Sequence, residues 1–361
     1  MAVKALRRTW ARAVDGRDAR ALLHLHRELW VDHDGRGGMP ASEEDEVWAA
    51  YGILLDRQLA HRDGRRNPKG VFEGKLGHVV AELEGRVVGQ VEAYLDRFGY
   101  HARTPSVAEL RSLIVTQAAR GNGLGALLVR EVAEGARTRA GENTIVSAEV
   151  LARNEALSFY DRLGFRTLER ISAITEPREH HGAFTTAPAR VDEAMELSIL
   201  DHQARVRRHA WGDPRFDPPS PAIGGDLVRL IADGIALDDA QRGTEAGRLR
   251  EELIVRDRRG RARAALYLVS SVLGPPFAPV VRAEVARIAA DPEDPEAVEA
   301  AMAGLDDALE RVRAVGATQL LVRTAYVDPI GARVATGEGV RAFSWILAAP
   351  VQTVLRRTTK P

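Results

Sequence analysis

The chain contains no cysteine. That absence excludes disulfide scaffolds, thiol nucleophiles, thiolate zinc sites and dithiol redox chemistry together. Lysine is nearly as scarce: of 51 basic residues only Lys4, Lys69, Lys75 and Lys360 are lysine, and the other 47 are arginine. A GC-rich coding sequence accounts for such a bias; a surface selected for anion binding is the alternative. Net charge is missing too, since 51 acidic residues balance the basic ones. That argues against a nucleic-acid partner, because sequence-independent binding needs a net cationic face. Long apolar runs are also absent. The longest uncharged stretch, Ala264–Val281, is broken by Gly274, Pro275, Pro276 and Pro279, so no membrane partner is expected. The opening MAVKALRRTWARAVDGRD lacks the apolar core of a signal peptide. The expectation is a soluble cytoplasmic protein.

What is present is length enough for two domains, at 361 residues, and a faint internal duplication. AELRSLIV from Ala108 resembles AEVARIAA from Ala283, TIVSAEV from Thr144 resembles QLLVRTA from Gln319, and GFRTLERI from Gly164 resembles GVRAFSWI from Gly339. These pairs, and the turns Gly85-Arg86 and Gly260-Arg261, share an offset of 175 residues. Val14-Asp15 and Val191-Asp192 match at 177. Agreement at one long spacing argues for two copies of one fold rather than a solenoid. The polar stretch Thr175–Arg190 is the expected boundary, giving domains 1–176 and 177–361.

The first copy reads as helix at Arg17–Trp30, capped by Asp15, and a second helix opened by a capping box at Ser42-Glu43-Glu44-Asp45. A β-hairpin around Glu84-Gly85-Arg86 follows, then a strand at LRSLIV, a helix from Gly121 to about Arg139, a strand at TIVSAEV, a short helix at Asn154–Leu163 and a strand at Phe165–Ile174. An extra strand is expected before the first helix. The fold class is α/β (α+β): in each copy a mixed, mostly antiparallel twisted sheet flanked by helices.

The stretch LRSLIVTQAARGNGLGALLVREV carries the chemistry. A strand ends, a loop intervenes, and Arg120-Gly121-Asn122-Gly123-Leu124-Gly125 opens a helix. Helix-start N–H groups have no partner within the helix, and glycines let a ligand approach them. With the helix dipole and Arg120 they suit a phosphate or pyrophosphate. Gly121, Gly123 and Ala126, with Glu149 on the next strand, also fit a dinucleotide-binding fingerprint. Against that reading, Thr116–Arg120 separate strand from glycines, hairpin strands come first, and the further βα units are missing.

The pattern resembles the GNAT superfamily of acyl-CoA-dependent N-acetyltransferases. Residues 120–125 match its Q/R-x-x-G-x-G/A signature, ELRSLIV fits its fourth strand, and NEALSFYDRLGF, Asn154–Phe165, fits its second signature. The resemblance covers residues 1–175. It implies that the fourth and fifth strands splay and that the pantetheine arm of acetyl-CoA pairs with the backbone of Leu113, Ile114 and Val115. It implies a pyrophosphate on Gly121, Asn122, Gly123, Leu124 and Gly125 beside Arg120, and Asn154 on a pantetheine amide, although a helix cap explains Asn154 as well. Tyr160 would protonate the leaving thiolate. Glu109, Glu149 or a water chain would take the proton of the acceptor amine. No metal is implied. The acidic run Glu43–Glu46 either attracts a cationic acceptor or caps its helix, and Tyr100 and His101 would rim the cleft.

In the second copy the corresponding stretch is DPEDPEAVEA from Asp291. Asp291, Glu293, Asp294 and Glu296 replace the glycines, prolines remove donors, and Ala335 replaces Tyr160. This copy is expected to have lost acyl-CoA binding, to complete the acceptor cleft and to mimic a dimer's second subunit, in a monomer or homodimer. Glu284, matching Glu109, would be structural, and Trp211 and Trp345 core or interface. His180-His181 lack metal-ligand spacing. The expected reaction is acetyl transfer from acetyl-CoA to a primary amine of a small molecule or peptide. The alternatives are a longer acyl-CoA and a non-catalytic acyl-CoA sensor.

Overall fold

The computed structural model describes residues 9–60, 75–97, 105–178, 183–216, 224–241 and 247–359. In the first half these form β1 (Thr9–Ala13), α1 (Ala19–Gly35), α2 (Asp45–Ala60), β2 (Lys75–Leu83), β3 (Arg86–Arg97), β4 (Ser106–Val115), α3 (Leu124–Ala140), β5 (Ile145–Leu151), α4 (Leu157–Arg162) and β6 (Arg166–Ile174). The second half repeats the order with β7 (Phe184–Pro188), α5 (Ala194–Ala210), α6 (Gly225–Gln241), β8 (Leu249–Asp257), β9 (Ala262–Val272), β10 (Val281–Ala290), α7 (Pro295–Ala314), β11 (Leu320–Ala325), α8 (Pro329–Ala335) and β12 (Val340–Pro350). A last helix, α9 (Val351–Thr358), packs on α3.

The strand expected ahead of the first helix is β1. Asp15 caps the turn at Gly16–Asp18, and Asp18 returns a bond to the Asp15 N–H. The equivalent turn in the second half is Val191–Glu193, where the Glu193 carboxylate accepts from Arg190 N. The offset here is therefore 175 as elsewhere, and Asp15 corresponds to Arg190; the 177-residue match is coincidental. The capping box at Ser42 does not form. Ser42 N donates to the Pro276 carbonyl of the other half, and Asp45 accepts from Arg27 instead. The short helix begins at Leu157 because residues 154–156 are spent in a turn.

All twelve strands join one sheet, in the order β1-β2-β3-β4-β5-β12-β6-β11-β10-β9-β8-β7. Every described pairing is antiparallel except β4–β5 and β10–β11. Alternation along β2 divides the first half's core into two layers. Val80 packs with Leu22 and Leu55 of α1 and α2, while Ala81 packs with Leu124 and Leu128 of α3. In the second half α7 covers one face and α5 with α6 the other.

The order places β12 between β5 and β6, and β6 between β12 and β11. Each half thus lends its last strand to the other. Arg170 faces Trp345 in this central pair, its guanidinium 5.0 Å from the ring centroid. One strand position away, Glu169 is 1% exposed. It accepts from Arg208 at 2.6 Å and Arg215 at 3.1 Å, with Arg323 at 3.8 Å, and Asp213 completes the network. Burial alone would raise this carboxyl, but the guanidiniums of Arg215, Arg208 and Arg323 outweigh it and hold it well below the usual range.

Glu169→Gln should therefore lower the unfolding free energy by about 3–5 kcal/mol, because buried guanidiniums lose their counter-charge. The folded carboxyl is the stronger acid, so its stabilisation is complete above the unfolded value of about 4.3 and declines as pH falls below it. Denaturant titrations of wild type and variant should converge on acidification. A gap of constant size between about pH 7 and about pH 3 would contradict the assignment.

Candidate functional site

The site begins at a bulge. Glu92 pairs with Arg111, but Gln90 pairs with Ile114, so β4 carries an extra residue there. Ser112 takes a φ of 50°. The bulge reverses which side chains face which layer: Leu110 before it and Leu113 and Val115 after it contact the α3 layer, while Ile114 turns to Leu25 and Leu29 of α1. It also ends the pairing with β5, which runs only from Val107↔Ile145 to Leu110↔Ala148. Beyond Leu110 the strands separate, and the β5-facing edge of Leu113–Val115 is left open.

The open edge leads to the start of α3. Thr116 N donates back to Val88, and a single 3₁₀ turn at Gln117–Ala119 reverses the chain. Arg120 Nε donates to the Val115 carbonyl at 3.1 Å, which anchors the guanidinium at the slot's end. Asn122 spends its side-chain amide on the carbonyls of Ala119 and Arg120, holding the loop rather than facing outward. Gly121 and Gly123 have φ of 82° and 75°, and an added Cβ at either would meet open space. Backbone conformation, not crowding, requires glycine there. Gly123 is the N-cap of α3 and supplies no side-chain cap. Among the described residues nothing accepts from the N–H groups of Asn122 to Ala126. Gly125 serves closeness: a Cβ there would lie 3.2 Å from the Phe159 ring.

That contact brings α4 against the helix start. Tyr160 is buried, edge-on to Phe159 at 5.1 Å and to Phe165 at 5.3 Å. Burial pushes its phenol up, so it stays protonated at any physiological pH. No partner for its hydroxyl is found among the described residues. Asn154 Oδ1 accepts from Ala156 N at 2.9 Å, so its carbonyl end builds the turn into α4.

The two candidate bases are placed differently. Glu109 is forked by Arg111 at 3.0 and 3.1 Å, and Arg111 in turn lies 4.6 Å over the Tyr94 ring. Burial, then Glu92, push the Tyr94 phenol up to about 12. Glu149 points to the second half, accepting from Ser344 Oγ at 2.8 Å with Arg282 at 3.9 Å. Asp45 and Glu46 lie in the first turn of α2. Tyr100 and His101 lie outside the described residues, as do His180 and His181.

Sequence reasoning missed a buried polar group under β2 and β3. Tyr51 OH and His26 Nδ1 are 2.7 Å apart, His26 stacks on His78, and His78 Nε2 lies 2.8 Å from Gln90 Oε1. Its signal was the polar alternation His78, Glu82, Gln90, Glu92 within otherwise apolar strands.

The profile of the acetyltransferase (GNAT) family matches residues 17–165. The first half of the chain belongs to the GNAT family. Members of this family use acetyl-CoA and act on amine acceptors generally. A GCN5-related N-acetyltransferase from Sphaerobacter thermophilus superposes with a TM-score of 0.53 at 14% identity, over 97% of both chains. The glucosamine N-acetyltransferase region of a fungal multi-domain GH3 β-N-acetylglucosaminidase superposes at 0.54 with 15% identity, over 96% of this chain and 39% of that one. This chain thus spans well under half of the fungal protein. Both likenesses are of fold, and they extend through the second GNAT-like half. No match is found among curated protein sequences.

The second half lacks the loop. Only Asp291–Asp294 separate β10 from α7, and their N–H groups are already used. Asp291 accepts from Glu293 N at 3.1 Å, and Asp294 caps α7 by accepting from Glu296 N at 2.9 Å.

Because the Tyr160 hydroxyl has no partner, Tyr160→Phe should change the unfolding free energy by less than about 0.5 kcal/mol. A loss above about 1 kcal/mol in denaturant melts would reveal a buried acceptor.

Proposed function

We propose that the first half transfers an acetyl group from acetyl-CoA to a primary amine of a small molecule or peptide, directly and without an acyl-enzyme. The reading rests above all on one observation: an open strand edge at Leu113–Val115 runs into an uncapped helix start beside Arg120. Backbone amides of a pantetheine arm would complete the edge as an added strand. Phosphates would neutralise the positive helix end and accept from the N–H groups of Asn122 to Gly125. Acetyl-CoA supplies the activated thioester. The amine nitrogen attacks the carbonyl, the C–S bond breaks, and Tyr160 gives its proton to the departing sulfur. Its buried phenol suits an acid that stays protonated. Glu149 or Glu109, directly or through water, takes the proton that the amine loses.

We take residues 1–176 as the catalytic unit and 177–361 as a unit without a CoA phosphate site, with the last strands exchanged. Asp291 and Asp294 use the donors that a pyrophosphate would need and present negative charge where it would dock.

A thiol-release assay with acetyl-CoA and an amine panel tests the reading. Release that depends on an amine is expected. Saturable acetyl-CoA binding without release on any amine would favour a sensor, and release only with longer chains would change the donor. Arg120→Glu should weaken acetyl-CoA binding about tenfold or more through charge reversal at the phosphates. Unchanged affinity would remove the phosphate site. Tyr160→Phe should lower kcat about 100-fold with little change in acetyl-CoA affinity. Equal turnover across the pH range would exclude Tyr160 as the acid.

A further inference from the structure

The second half holds a cavity of about 550 Å³, a size typical of small-molecule sites. It lies between α5, α6 and the separating strands β10 and β11. Those strands pair only at Glu284↔Leu321 and Val285↔Val322, and the residues beyond, from Ala286 and Arg323 onward, wall the space. It is the counterpart of the slot beside β4 together with the space under α1 and α2. The self-capped start of α7 removes CoA as its occupant.

The charge of the space is inverted relative to the first half. Glu149 pairs with Ile346, and Arg323 pairs with Ile171. Ile171 and Ile346 are equivalent at the 175-residue offset, so Arg323 stands where the first half has Glu149. Six arginines line the cavity against five carboxylates. The carboxylates are all engaged: Asp201 by Arg205 and Arg287, Glu252 by Arg287, Asp238 by Arg250, Glu169 by Arg208, and Asp328 as the cap of α8. None is left over for a cationic ligand, while the guanidiniums are in excess. The guanidinium fork matches a carboxylate in two-point geometry. The rest of the wall is apolar, with Trp211 and Phe216 at one end and Leu230, Ile231 and Ile235 along α6. Trp211, expected in the core or an interface, faces this space.

We infer that this cavity binds a small organic carboxylate, its apolar body against Trp211 and Phe216 and its carboxylate on Arg323. The site takes its ligand independently of acyl-CoA in the first half.

The test is calorimetric titration of the full-length protein with sodium phenylacetate and sodium hexanoate, with phenethylamine as the charge-reversed control. At least one carboxylate should bind saturably with a submillimolar Kd, and the amine should not. Arg323→Gln should weaken that binding about tenfold or more. Arg323 also holds Glu284, so a second variant leaves the ion pairs intact. Gly234 lines the cavity, and a Cβ built there meets nothing within 4 Å. Leucine suits a helix better than glycine, so Gly234→Leu should fold at least as well as wild type while filling the space, with a loss of carboxylate affinity of about tenfold or more. Acetyl-CoA affinity should be the same in wild type and Gly234→Leu. If wild type binds no acetyl-CoA, the reading of the first half fails and this one stands. The inference is overturned if neither carboxylate binds wild type, if the amine binds as well, or if Gly234→Leu retains full carboxylate affinity.

Discussion

Strand β6 hydrogen-bonds to β12 on one edge and to β11 on the other, and much else in the molecule depends on that placement. A strand at the end of each half would otherwise expose an unpaired edge. Exchange removes both edges at once and makes one continuous sheet. It also brings Glu169 into contact with arginines from α5, the loop after it and β11. A buried carboxylate among guanidiniums is tolerable only when each is held in place, so this network ties the relative placement of the two halves to the strand register.

On this shared frame the two halves have taken opposite chemical forms. Both open the sheet between a parallel strand pair, because a bulge in the inner strand ends the ladder early. At the helix that follows, the first half leaves donors unspent and the second spends them on aspartates. The difference is four residues of loop and the identity of the cap. Glycine at the N-cap of α3 offers no side-chain acceptor, whereas Asp294 at the N-cap of α7 does. The same inversion recurs inside the cleft, where Glu149 in one half answers to Arg323 in the other. A duplicated fold can therefore keep its cavity while reversing what the cavity attracts.

Much of this was legible along the chain, for identifiable reasons. Helices α1 and α3 announce themselves by apolar residues at helical spacing, and the Gly85 and Gly260 turns by left-handed glycines that only glycine fills cheaply. The glycine loop could be read because its function rests on backbone groups, which follow from glycine positions rather than from distant contacts. The Ser42 capping box failed where a tertiary contact competed: the Pro276 carbonyl took the N–H that the box requires. The polar group around His26 and His78 was hidden because its members come from α1, α2, β2 and β3, separated in sequence and joined only by packing.

By itself, then, the sequence determined that the fold occurs twice, that one copy keeps an anion-binding helix start and that the other has closed it. These are local properties, set by residue types within a few positions of one another. Strand exchange, the placement of Glu149 toward Ser344 and Arg282, and the arginine-lined cavity of the second half were decided only in three dimensions. Each depends on which strand edges meet, and a strand edge offers the same backbone groups to any neighbour. Pairing between β6 and β12 is selected by the layers packed on both faces and by the buried charges that one register satisfies, and neither can be read from a single segment.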